Sequence, residues 1–109
     1  MSFFNLTKVK MERRFTYLDS EITDENPEIY LRTKELLKLI LPKLHFSVFP
    51  FIGLTNEGQV IAEWHNSMGH CYSYLMPVSE NVINYKIVDI GKSIVYQTFT
   101  LETIDQLKL

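Results

Sequence analysis

A single cysteine among 109 residues rules out an intramolecular disulfide, so nothing in the chain requires an oxidising compartment and the cytoplasm is the expected location. Four glycines and four prolines are too few for a collagen-like or disordered chain. A formal net charge of −2 lacks the strong basic excess with which a domain grips nucleic acid through its phosphates. Nucleic acid is therefore an unexpected partner. The longest apolar run, Leu36 to Leu44, is broken by Lys38, Pro42 and Lys43, and nothing in the sequence is fit to span a bilayer. The opening MSFFNLTKVKMERRF lacks the ordered charged, apolar and small-residue regions of a secretory signal. Glycine-rich phosphate loops, Walker-type lysines, paired-carboxylate hydrolase patterns, internal repeats and low-complexity tracts are also missing.

What remains is a globular composition: 46% apolar residues, with seven Phe, six Tyr and one Trp. At this length one domain, residues 1–109, buries a core without metal or disulfide staples. Residues 1–18 mix aromatics (Phe3, Phe4, Phe15, Tyr17) with bases (Lys8, Lys10, Arg13, Arg14), and their spacing does not choose between helix and strand. This segment is expected to be loosely packed, with Phe15, Tyr17 and Leu18 tucked against the domain. The acids Asp19, Glu21, Asp24, Glu25 and Glu28 follow without an intervening base. They read either as a solvated loop feeding a helix N-terminus or as a patch facing a basic partner.

Asn26-Pro27-Glu28 is a helix start, and Ile29, Thr33, Leu36, Leu37, Ile40 and Leu44 recur at three- and four-residue steps up to Pro42. From Phe46 the period becomes two. Strands are expected near Leu44–Ile52, Gln59–His65, Cys71–Met76, Val82–Val88 and Ser93–Phe99, separated by turn signals around Gly58, Gly69, Asn81 and Gly91. Pro50 marks the first strand as an edge or a kink. The last ten residues, TLETIDQLKL, read as a short capped helix presenting Leu101, Ile104 and Leu107. The predicted fold class is thus α+β, an antiparallel meander of four to five strands with one long helix on one face and a short C-terminal helix. Such a sheet leaves its other face partly open, and Tyr72, Tyr74, Tyr85, Tyr96 and Phe99 cannot all share one core.

Leu41-Pro42, Pro50, Gly58, Val60 and Glu63-Trp64 carry a resemblance. The chain resembles a group of small bacterial proteins of unassigned activity, in which a helix ends in Leu-Pro and is followed by a proline-bearing strand, a glycine turn and a strand finishing in Glu-Trp. The resemblance implies the α+β fold and supplies no catalytic residue.

The chemistry is concentrated in Gln59–Met76, where His65, His70 and Cys71 stand near Glu63 and Trp64. Glu63, His65, His70 and Cys71 contain the donor atoms of a zinc site, but their spacing is non-standard and a second cysteine is missing. Cys71 as a nucleophile would need His65 or His70 as its base and a thiol of lowered pKa. The alternative expectation is therefore a small metal-binding or thiol-dependent enzyme. The leading expectation is a non-enzymatic binding module without a cofactor, an inhibitor, immunity or antitoxin-type protein of bacterial or phage type that blocks a nuclease or toxin. Its expected contact residues are Asp19, Glu21, Asp24 and Glu25 from the acidic run, with Glu63, Tyr72, Tyr74 and Tyr85 from the sheet. A homodimer through an edge strand carrying Phe46, Val48 and Phe49 is a further expectation.

Overall fold

A computed structural model describes residues 3–22, 27–65, 71–107 and 109, with side chains from residue 8 onward. Helix α1 spans Phe3–Glu21 and helix α2 spans Glu28–Ile40. Strands β1 (Phe51–Leu54), β2 (Val60–His65), β3 (Cys71–Ser79), β4 (Val82–Asp89) and β5 (Val95–Phe99) follow in sequence. They pair in the order β1-β2-β3-β4-β5, every neighbour antiparallel, which is the expected meander. Among the described residues two turns use a left-handed glycine: Gly58 at φ 87° between β1 and β2, and Gly91 at φ 86° between β4 and β5.

The segment expected to be loose is a 19-residue helix. Met11, Phe15 and Leu18 recur at steps of four and three, and all three are buried in the core, with Ile22 packed against it. Tyr17, expected inside, falls off that stripe and is 53% exposed. Helix α2 buries Tyr30, Thr33, Leu36, Leu37 and Ile40 against β2 and β3. Its stripe is rotated from expectation, so that Ile29 is exposed and Tyr30 faces inward. Leu41-Pro42-Lys43 closes α2 as a single 3-10 turn, because Pro42 has no N–H to continue the helix.

Two other elements differ from expectation. Residues 45–50 are not strand: Phe46 packs on Phe49 and on Trp64, each at 6.0 Å between ring centroids, while the Trp64 indole Nε1 donates to the Val48 carbonyl at 3.0 Å. Two aromatics three residues apart turning to the same side break the period of two, so β1 begins only after Pro50. The C-terminal segment is a 3-10 turn, Ile104–Gln106, introduced by reciprocal Thr100–Thr103 hydrogen bonds. Serine- and threonine-type turns of this kind compete with helix in short segments. Ile104 and Leu107 are buried as expected, and the Leu101 N–H donates to the Glu80 carbonyl at 2.7 Å.

Side chains also complete the sheet where its ladder stops. The β2–β3 register runs from His65↔Tyr72 to Ala62↔Leu75 and ends short of Pro77. There Gln59 Nε2 donates to the Pro77 carbonyl, and the buried Val60 N–H donates to Thr33 Oγ1, both at 2.8 Å. Thr33 donates in turn to the Ile29 carbonyl at 2.7 Å. One hydroxyl therefore ties α2 to the first residue of β2.

Candidate functional site

Strand periodicity sends Ile52, Val60, Ala62, Leu75, Ile83 and Tyr85 toward the helices, where all are buried. The intervening residues form the opposite face, on which neither helix lies. Register sets its layout. One row crosses all five strands as Phe51, Glu63, Tyr74, Lys86 and Tyr96. A second row is His65, Tyr72 and Val88, and a third is Met76, Asn84 and Thr98.

The side chains of this face hold one another. The Tyr72 ring meets His65 edge-on at 4.7 Å and stacks near Tyr74 at 6.5 Å and 20°. His65 Nε2 lies 3.3 Å from Glu63 Oε2. Lys86 Nζ sits between two tyrosines, 5.9 Å from the Tyr74 ring and 5.8 Å from Tyr96. Thr98 Oγ1 donates to Asn84 Oδ1 at 3.1 Å. Partial burial, and then the charges of Glu63 and Tyr72, push the Tyr74 hydroxyl above the usual phenol range, so it stays a neutral donor. At the two ends of the long row Phe51 is 55% and Tyr96 65% exposed. The result is an aromatic surface on which one carboxylate, Glu63, and one ammonium, Lys86, offset each other.

Of the residues expected to make contacts, Glu63, Tyr72 and Tyr74 are brought together here. Tyr85 is not. It pairs with Leu75 and Gln97, which places it on the helix side at 3% exposure, and it belongs to the core. Asp19 and Glu21 lie in the last turn of α1 rather than in a loop. The Asp19 carboxylate accepts from the Tyr30 hydroxyl and pairs with Lys34 Nζ at 3.1 Å, so it joins the two helices. The tyrosine hydrogen bond chiefly holds its pKa below the usual aspartate value; burial opposes this, and Lys34 and then Lys38 add to the lowering. Asp24 and Glu25 lie outside the described residues, as does His70.

His65 and Cys71 alternate to opposite sides of their strands, yet both border one cavity. His65 opposes Tyr72 across the strands, whereas Cys71 alternates with it onto the helix side. Cys71 lines a cavity of about 350 Å³ with Phe46, Trp64, His65, Ser73 and Tyr85, and the His65 ring is engaged with Glu63 and Tyr72. Among the described residues no group of three His, Cys, Asp or Glu could hold a metal ion.

The segment expected to form a dimerising edge strand, with Phe46, Val48 and Phe49, is not strand. Phe46 and Phe49 are half-buried in the loop before β1, and the β1 edge is partly closed by Arg14, whose Nε donates to the Ile52 carbonyl at 2.6 Å. The other sheet edge is β5, exposed along Val95–Thr98.

Sequence reasoning did not assemble Phe51, Lys86 and Tyr96 with Tyr74. Alternation fixes which side of its own strand each occupies, but only the pairing register puts them in one row. Among the described residues no helix is long and apolar enough to cross a membrane. In comparisons with protein-family models, curated proteins and solved structures, nothing matched this chain.

Proposed function

We propose that this chain is a non-enzymatic binding module that uses the helix-free face of its sheet to cover another protein, acting as an inhibitor of the immunity or antitoxin type. The observation that carries the reading is the row Phe51–Glu63–Tyr74–Lys86–Tyr96 with Tyr72 beside it, an aromatic surface across all five strands that the protein's own helices leave uncovered. Tyrosine is enriched at protein contacts because it offers a large rigid area and a polar tip at little entropic cost. The offset charges of Glu63 and Lys86 suit a partner matched in shape and hydrogen bonding. A toxin or nuclease is the partner class that a blocking protein of this size fits.

The test is capture of the partner from the cells that encode the chain, comparing wild type with a triple Tyr72→Ser, Tyr74→Ser, Tyr96→Ser variant. Wild type should return a stoichiometric partner whose activity it suppresses, and the triple variant should lose it. A wild-type chain that repeatedly returns alone, or a partner held equally by the triple variant, would overturn the reading.

A further inference from the structure

Beside the outer end of the long row lies a groove of about 420 Å³ between α1 and β1. Its helical wall is Lys10, Arg13, Arg14 and Tyr17, at successive steps of three, one and three along one face of α1. Its other wall includes Phe49 and Phe51. Three bases and no acid line it, although the whole chain is net negative. Among the described residues none of the three bases is in an ion pair, whereas Lys34, Lys38 and Lys92 each have a carboxylate partner. Glu63, the register partner of Phe51, lies outside the lining and is directed along its strand to His65.

Arg14 is prearranged for recognition. Its Nε is spent on the Ile52 carbonyl at 2.6 Å, and its guanidinium carbon lies 4.9 Å from the Tyr17 ring centroid and 4.7 Å from that of Phe51. These contacts hold the planar group in place and leave its terminal nitrogens as donors. A guanidinium fixed in this way matches a carboxylate bidentately, with little side-chain entropy left to lose. Lys10, whose Nζ stands 5.5 Å from the Phe49 ring, adds a second cation along the groove.

We propose that this groove binds an acidic segment of the partner protein, carboxylates on Arg14, Arg13 and Lys10 and an apolar residue against Phe49 and Phe51. The proposal rests on the reading of the sheet face as a contact surface, and it names the chemistry of the partner at that surface's edge. Charge complementarity favours a short acidic peptide over a polynucleotide, because the basic region is confined to one groove of a net-negative chain.

The test is amide NMR titration of the ¹⁵N-labelled full chain with three probes: the peptide Glu-Glu-Phe-Glu-Glu, inorganic phosphate and a ten-residue oligothymidylate. The peptide should shift the amides of residues 10–17 and 49–52 saturably, and less so as salt rises. Arg14→Gln should weaken it by about ten- to a hundredfold. Arg13→Glu, an exposed change that leaves the Arg14 contacts intact, should weaken it as well. Tighter binding of phosphate or of the oligonucleotide at these amides would overturn the acidic-peptide assignment, and so would the absence of any shift there with the peptide. Arg13→Glu leaves the sheet face intact and the triple tyrosine variant leaves the groove bases intact. Partner capture lost only with the tyrosines, alongside an unresponsive groove, would sink this inference and spare the sheet-face reading.

Discussion

Replacing Thr33 with valine removes one hydroxyl and almost no volume, and its effect follows from two bonds. Thr33 is 1% exposed, and its Oγ1 is the 2.8 Å acceptor for the Val60 N–H at the point where the β2–β3 ladder has ended. The Ile29 carbonyl, to which the hydroxyl donates in a part-buried bond, belongs to the first turn of α2 and remains an acceptor for the helix's own ladder, so it is less affected by the loss. An unsatisfied buried N–H costs about 1–3 kcal/mol, from which the added methyl burial recovers about 0.8 kcal/mol at most. The net loss should be about 0.2–2.2 kcal/mol, lowering Tm by about 1–10 °C in a domain of this size. Urea unfolding should show a lower midpoint at unchanged slope, and the Val60 amide should exchange faster. Thr33→Ser keeps the acceptor and should keep that amide protected. A valine variant as stable as wild type, with Val60 still protected, would refute the claim that this hydroxyl links α2 to the sheet.

Phe15→Ala should cost about 3–5 kcal/mol by urea unfolding, since Phe15 is buried in the core; a loosely attached α1 would make the change nearly silent. Asp19 has a folded pKa below its unfolded one, so its contribution is present above about pH 4 and is lost as pH falls through the folded value; Asp19→Asn should therefore flatten the acid limb of the stability–pH curve. Tyr30 is shifted the other way, first by burial and then by its bond to Asp19, so its contribution holds below about pH 10 and fades as pH rises toward the folded value; Tyr30→Phe should flatten the alkaline limb. Glu63→Gln should bring the Tyr74 phenol back toward the ordinary range by removing one of the charges that raise it, a change readable by tyrosine ring carbon NMR.

The α+β class, the meander and four of the five strand positions were legible because alternation and turn glycines are local signals. Helix α1 was written as clearly, in the Met11, Phe15, Leu18 and Ile22 spacing, but Tyr17 with Arg13 and Arg14 among them, and Lys8 and Lys10 just before, blurred the stripe. Residues 45–50 escaped because a tertiary contact, Phe46 and Phe49 turning to the same side, overrode the period of two. Tyr85 was misplaced for a related reason: an isolated tyrosine does not announce which sheet face its strand presents to the helices. Asp19 read as a solvated acid because Tyr30 and Lys34, which occupy it, come from the next helix. The sheet face itself was half legible, since Glu63, Tyr72 and Tyr74 come from one hairpin while Lys86, Tyr96 and Phe51 needed the register of three more strands.

The proposed function places the contact on the helix-free sheet face. Methyl NMR of the chain bound to its captured partner tests it most directly. Ile61, Met76 and Val88 carry reporters on that face, and the exposed Leu31 and Leu39 carry them on α2. The sheet-face methyls should shift or broaden on binding while the two helix leucines stay in place. Movement confined to Leu31 and Leu39, with Ile61, Met76 and Val88 unchanged, would put the contact on α2 and overturn the sheet-face assignment.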